Sequence, residues 1–447
     1  MTPRPIPRHL VAVVFIIVVL LSLTCAALAA GPQYNPLYAF NTRSVGNYPT
    51  GVVGDANGNL YGVTFEGGTA NLGTIYELSP PAQQGQSWTE SVLYNFTGGQ
   101  DGGNPYVELT LDKSGNLYGS SQGGVNSHTA TIFELSPNGG SWTFTPIYSF
   151  PASYGTPFTI GSSLIFDQSG NLYGEVAAPS SSALGFVYEL SPPAQAGGAW
   201  TEATLYTFQG ANVGEDGTWP SGGLSFDAQG NLYGTTEEGG VPGRKQCNSA
   251  GCGIVFELSP PAQPGGAWTE TILYRFLAQT DGGNPEGGVA FDKSGNLFGT
   301  AFDGGDGVFT AGSGVVFELT PGNGTWIETV IYTFDASKGA GLKGPSAGVI
   351  LDPSGRVYGT TFSSRNLNCT LLPCGGVFAL VPPKQAGGEW TEFNLHVFSG
   401  PPDGDEPNGR LYLGKNALYG VTEYGGDENT KQCKDAGGCG LIFQITR

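Results

Sequence analysis

Two sets of residues in this chain have types and spacings that could do chemistry. The first is six cysteines in three close pairs: Cys247 and Cys252 flank NSAG, Cys369 and Cys374 flank TLLP, and Cys433 and Cys439 flank KDAGG. An even number of cysteines at such short spacing reads as disulfides formed in an oxidising compartment. Loops this short gain only about 2 kcal/mol each from chain entropy, so the expected effect is to stiffen exposed loops. Zinc held by two pairs is the alternative; it requires pairs from separate parts of the chain to converge and finds no histidine nearby.

The second set is acidic. Glu66, Gln122, Glu238 and Asp303 stand directly before a Gly-Gly pair, with Glu237 and Glu423 one place earlier. Asp101, Asp216, Asp281 and Asp403 lie in segments such as DGGNP, EDGTWP and DGDEP. Carboxylates among glycines can bind Ca²⁺ through oxygen, but no EF-hand spacing is present. The plainer reading is solvated turns of an acidic protein, and no cofactor is expected. Paired carboxylates could also cleave glycosidic bonds, yet the sequence singles out no pair. His128 and His396 are the histidines outside the N-terminal segment, and His396 replaces a strand tyrosine. No G-x-S-x-G elbow, H-E-x-x-H or phosphate loop occurs, so no catalytic residue is assigned.

The N-terminus carries MTPRPIPRH, the apolar run LVAVVFIIVVLLSL and then Ala27-Leu28-Ala29, the order of a secretory signal peptide cleaved after Ala29. Acylation at Cys25 is a rival reading, but Ser22-Leu23-Thr24 lacks the usual residues before a lipidated cysteine. About 14 strongly apolar residues are short for a span of roughly 20, and no later segment reaches membrane length. The expected mature protein, residues 30–447, is a soluble, exported monomer in the medium, the periplasm or at the cell surface. Its charge is 18 basic residues less Arg4 and Arg8, minus 37 acidic ones, or −21. That argues against nucleic acid and anionic lipid as partners.

These residues are positioned by a repeat. GNLYG recurs at Gly58, Gly115, Gly170 and Gly230, then as GNLFG at Gly295, GRVYG at Gly355 and KNALYG ending at Gly420. The aromatic residues of the seven copies, from Tyr61 to Tyr419, are 55 to 65 residues apart. Each repeat reads as four short β-runs, for example GLSFD, NLYGTT, GIVFELS and WTETILYRF in the fourth copy, bounded by turn residues. Between the first two runs, Asp-x-x-Gly-Asn suits a tight hairpin. Tyr61 and its equivalents are expected to pack between repeats.

The Trp that opens the fourth run occurs six times, from Trp88 to Trp390, one fewer than the repeats. The missing strand stands at the front as PLYAF, Pro36 to Phe40, whereas the last repeat ends after its third strand. This offset closes a ring. The fold class is therefore all-β: a seven-bladed β-propeller of four-stranded blades, with the N-terminal strand completing the last blade and the sheet edges protected by closure.

In this order DGxxP, GxxxDxxGNLYGTT, GxVFELSP and WTETVLYxF resemble the bacterial extracellular tandem repeat called GloVer, over nearly all of residues 36 to 447. The resemblance implies a secreted or surface repeat protein and brings no established activity. Family members often carry a C-terminal anchoring segment, and none is seen here. The strand order is also similar to NHL-type propellers, and the hairpin Ser136 to Trp142 to the Asp-box turn of sialidase-like propellers; both likenesses concern scaffolding.

In such a ring the loops after second and fourth strands share one face. The cysteine pairs and all the acidic candidates fall there, and variation on one rim of a regular scaffold is where binding is usually placed. The sequence thus points to a binding or structural module with a glycan or protein ligand on the loop-rich face, the alternative being a carbohydrate-active hydrolase or lyase.

Overall fold

The computed structural model describes residues 31–446 apart from 43, 84, 124–129, 152–158, 179–183, 196, 244–246, 248–249, 264, 306–311, 336, 338, 340, 366–373 and 386. The segment expected to be a signal peptide, His128 and Cys369 lie outside the described residues.

Each repeat folds as an antiparallel sheet, and seven such sheets stand in a ring as a seven-bladed β-propeller. In the fourth blade the first strand is interrupted: Gly217–Pro220 and Ser225–Phe226 both pair with the second strand, Leu232–Gly239. That strand pairs with Ile254–Ser259, and this third strand pairs with Thr269–Arg275 at the outside. The seventh blade takes its fourth strand from the front of the chain. Gln33–Ala39 pairs antiparallel with Leu441–Thr446, with Gln33 opposite Thr446 and Pro36 opposite Phe443. The closing strand therefore begins three residues before the Pro36 expected from sequence.

The recurring five residues have a separate cause at each position. In the fourth copy, the Asp227 carboxylate accepts the amides of Gln229 at 2.8 Å and Asn231 at 2.9 Å, which fixes the hairpin. Gly230 supplies the left-handed residue at φ 89°. Leu232 is fully buried. The Tyr233 hydroxyl donates back to Asp227 at 3.2 Å, while its ring meets Phe291 and Trp326 of the next blade edge-on at 5.0 and 6.3 Å. The expected packing of these aromatics between repeats is what the structure shows. The last glycine lies under the aromatic ring of the third strand: a Cβ on Gly234 would stand 2.5 Å from the Phe256 ring, and one on Gly299 2.4 Å from Phe317.

Blades are also joined at their upper corner. Gly253 precedes the third strand of blade four, and a Cβ there would lie 2.5 Å from Cδ of Pro285 in blade five. Just before that proline, the Asn284 amide donates to the Cys252 carbonyl at 2.9 Å, from a left-handed backbone at φ 54°. The same pairing recurs as Gly73 with Pro105, Gly185 with Pro220, Gly314 with Pro345, Gly375 with Pro407 and Gly440 with Pro49. The last of these joins blade seven to blade one. The apolar clusters follow this pattern, each mixing residues of adjacent blades, so burial between blades holds the ring together.

Cys247–Cys252 and Cys433–Cys439 are disulfide-bonded, each within one loop, and Cys374 is disulfide-bonded too. The Cys433 loop carries a short helix, Lys431–Ala436, whose start is capped by the Thr430 hydroxyl accepting the Cys433 amide.

Two glycines separate backbone strain from blade contact. Gly230 has φ +89° and nothing within 4 Å of a built Cβ, whereas a Cβ on Gly253, at φ +90°, would stand 2.3 Å from the Thr236 carbonyl of its own blade and 2.5 Å from Pro285. Gly230→Ala should cost about 1 kcal/mol, the left-handed penalty alone. Gly253→Ala should cost about 1–3 kcal/mol more through overpacking. Urea unfolding of both variants checks this: Gly253→Ala unfolds at clearly lower denaturant, and equal midpoints would show that the close packing around Gly253 does not require a glycine.

Candidate functional site

The first strands of all seven blades converge on the ring axis and contribute to a cavity of about 510 Å³, whose lining includes Glu237, Phe302, Phe362 and Glu423 at the loop-rich ends of second strands. Its floor consists largely of backbone. Built Cβ atoms on Gly287 and Gly288 would stand 2.4 Å from the Gly348 amide and the Gly222 carbonyl, so the first strands of blades four, five and six meet main chain to main chain. Small residues in SGG, EGG and SAG make this approach sterically permissible. Opposite them, the Glu108 side chain of blade two crosses Gly51 of blade one and accepts the Arg410 amide of blade seven. Burial lifts Glu108 to about 7, against the lowering effect of Arg410. Arg410 lines the same cavity and is exposed.

The wall combines rings and carboxylates. Tyr106, Phe302 and Phe362 line it together with Glu237, Glu286, Glu406 and Glu423. Tyr106 is 48% exposed and Phe362 37%, unusual for aromatics in a described core that hides most of its Phe and Tyr. Burial pushes Glu286 up to about 8, with Glu237 and Asp303 adding like-charge repulsion. Asp303 is raised by burial to about 6, and Glu406 by burial and by its neighbours Glu423 and Asp405 to about 7. Burial also raises Glu237 and Glu423, and the Asn408 amide donates to Glu423 at 3.0 Å. Tyr106 senses Glu423, Glu286 and Glu406 together, which ties carboxylates of blades five and seven into one site.

The acidic candidates from sequence divide into two groups. Glu237 and Glu423 line the cavity and Asp303 adjoins it through Glu286. Glu238 is partly exposed beside it without lining the wall, Glu66 accepts Asn47 at 3.4 Å, and Gln122 bridges to Gly103. The aspartates of the fourth-to-first loops serve the fold. Asp101, 6% exposed, accepts the Tyr94 hydroxyl at 3.0 Å and the Thr97 amide at 2.7 Å. Asp216 holds Tyr206 at 2.9 Å and the Gln209 amide at 2.7 Å, and Asp281 holds Tyr274 at 3.1 Å and the Leu277 amide at 2.8 Å. In the last such loop His396 takes the tyrosine's place, meeting Asp403 at 3.0 Å and stacking on Tyr34 with centroids 3.6 Å apart. Among the described residues no group of three or more His, Cys, Asp or Glu is arranged to hold a metal ion.

Tyr106, Glu108, Glu286, Glu406 and Arg410 are functional candidates that the sequence reading missed. A signal was present for four of them: in the segments NPYVEL, NPEGGV and EPNGRL, Tyr106, Glu108, Glu286 and Arg410 are large or charged residues at positions where other repeats carry Ser, Ala or Gly, whereas the position of Glu406 varies among Asn, Trp, Tyr and Gly.

Two consecutive stretches, residues 24–244 and 243–447, match the Gloeobacter/Verrucomicrobia repeat. The chain belongs to that family. No curated protein matches it. Among solved structures, this Gloeobacter/Verrucomicrobia repeat protein is similar to one from Lactobacillus plantarum at 16% identity and TM-score 0.52, over 84% of this chain and 89% of the other. A Thermus thermophilus protein suggested to be an oxidoreductase of the glucose dehydrogenase kind aligns at 14% identity and TM-score 0.40, over 93% and 100% of the two chains. A Dyadobacter fermentans protein of unknown function gives 11% identity and TM-score 0.40 over the same shares. At these identities the likeness concerns the fold.

The buried carboxylates set the direction of the pH response. Glu286 near 8, and Glu90, Glu108, Glu328 and Glu406 near 7, all hold protons that the unfolded chain releases around 4.5. Between these values the unfolded state has lost protons that the folded state keeps, so stability falls as pH rises and is fully present only below about 4.5. Thermal unfolding should therefore occur at a lower temperature near pH 8.5 than near pH 5. Glu286→Gln should flatten that dependence, and a melting temperature that rises over the same interval would contradict the assignment.

Proposed function

We propose that this repeat protein is an exported binding module that holds a glycan on its loop-rich face, in the axial cavity, without turning it over. The observation that carries the reading is the combination of partly exposed Tyr106 and Phe362 with carboxylates in a cavity of about 510 Å³, inside the usual range for small-ligand sites. Aromatic rings cover the apolar faces of sugars, and carboxylates accept hydrogen bonds from their hydroxyls. The intraloop disulfides fit an oxidising compartment, and so does the signal-like N-terminal segment. Among the described residues no helix is long and apolar enough to cross a membrane.

A second reading has one specific observation behind it. Glu286 retains its proton to about 8 beside Glu237 and Asp303, as a general acid beside a carboxylate base would. On that reading the protein is a glycan hydrolase or lyase.

A glycan array followed by product analysis on the bound sugars separates the two. Binding without product is expected, and Tyr106→Ala together with Phe362→Ala should weaken it about tenfold or more at an unchanged melting temperature. Product formation abolished by Glu286→Gln would replace binding by hydrolysis. Binding that survives loss of both rings would place the ligand elsewhere.

A further inference from the structure

The disulfides do not sit in exposed loops, where the sequence places them. Cys247, Cys252, Cys374, Cys433 and Cys439 are each 3% exposed or less and belong to apolar clusters that mix residues of adjacent blades. The second cysteine of each pair directly precedes a corner glycine that meets the next blade's proline: Gly253, Gly375 and Gly440. In blade four the Cys252 carbonyl accepts the Asn284 amide at 2.9 Å, and the Gly253 carbonyl accepts the Phe276 amide at 3.1 Å. In blade six the Gly375 carbonyl accepts the Phe398 amide at 3.2 Å, and the Cys374 amide donates to Asp405 of blade seven at 2.8 Å.

Blade seven repeats this corner with one difference. The Cys439 carbonyl accepts the Tyr48 amide at 3.1 Å, and the Gly440 carbonyl accepts the Phe40 amide at 3.0 Å. Both donors come from the opposite end of the chain: Phe40 follows the closing strand Gln33–Ala39, and Tyr48 lies in the first strand of blade one, Asn47–Pro49. At the other two corners the donors follow their acceptors along one continuous stretch of chain, whereas here only non-covalent contacts bring them together. Cys433 and Cys439 share their cluster with Phe40 and with Val52, Leu60 and Tyr76 of blade one. The segment they link is short of other constraints. It holds one short helix, Lys431–Ala436, and then Gly437, Gly438 and Gly440 at φ 79°, 111° and 88°.

We propose that the Cys433–Cys439 disulfide is a redox latch on ring closure: its formation fixes the two carbonyls that receive the N-terminal strand and so shuts the propeller. On closure the two thiols give up two protons and two electrons to an exchanging disulfide, which leaves as two thiols. One S–S bond forms in the protein as one breaks in the oxidant. Without the link, the glycine-rich turn regains its freedom, the carbonyls of Cys439 and Gly440 no longer hold the Tyr48 and Phe40 amides, and Leu441–Thr446 becomes an open edge. The ring is therefore completed only where thiols are oxidised. This latch is independent of what the axial cavity binds.

Hydrogen–deuterium exchange at residues 33–40 of the full chain reads the latch. Protein refolded oxidised is compared with protein refolded in dithiothreitol, which keeps both sulfur atoms in place and removes only the bond. Cys433→Ser with Cys439→Ser removes this pair alone, and Cys247→Ser with Cys252→Ser is the control. The closing strand should exchange about tenfold faster or more when reduced and in the first double variant, and at the oxidised wild-type rate in the control. Gln33 and Thr446 stand opposite each other in register, so Gln33→Cys with Thr446→Cys ties the chain ends covalently. Added to the first double variant, this tie should restore protection, including the case in which that variant does not fold by itself. Protection unchanged by reduction, an equal loss in the control, or a tied variant that stays unprotected would each overturn the latch.

Discussion

The contact on which the rest depends is the one between neighbouring blades at their upper corner. A glycine without Cβ lies against a proline ring of the next blade, and the amide preceding that proline reaches back to the first blade's carbonyl. Proline holds its own backbone, glycine permits the approach, and the hydrogen bond fixes the height of one blade on the other. Aromatic contacts such as Tyr233 on Trp326 add apolar burial below. Because a single four-stranded blade buries too little surface to stand alone, stability resides in these interfaces. Closure by Gln33–Ala39 lets the seventh interface form on the same terms as the others.

The cavity is a consequence of this geometry. Seven first strands directed at one axis leave room there only if their central residues are small, and glycines at 222, 287, 288 and 348 meet that requirement. Once the ring is fixed, the scaffold tolerates exceptions at the axis. Tyr106, Glu108, Glu286 and Arg410 are such exceptions, and they line one cavity although they come from three different blades. The fold stabilises the ring and concentrates chemistry where it closes.

Much of this was legible in the sequence, and the gaps have physical causes. The seven copies of GNLYG, the alternation of short β-runs and the displaced first strand encode the number of blades and their closure, since each is a local pattern repeated. The roles of Asp101, Asp216 and Asp281 were less visible: an aspartate among glycines looks the same whether solvent or a buried tyrosine satisfies it. The clue lay in pairing, because a Tyr on the fourth strand accompanies each of them, and His396 accompanies Asp403 in the last such loop. Glu286 and Glu406 escaped notice for a different reason. Glu286 meets Glu237 of blade four only through the ring, and Glu406 meets Glu423 across two paired strands of its own blade.

Hydrogen–deuterium exchange with and without a bound oligosaccharide tests most directly whether the axial cavity on the loop-rich face is the functional surface. The account predicts ligand-dependent protection in the first-strand segments around residues 106–108, 286–289 and 406–410, with the hairpins of the opposite face around 55–59 and 227–231 unchanged. Protection confined to those hairpins or to the outer strands would contradict it.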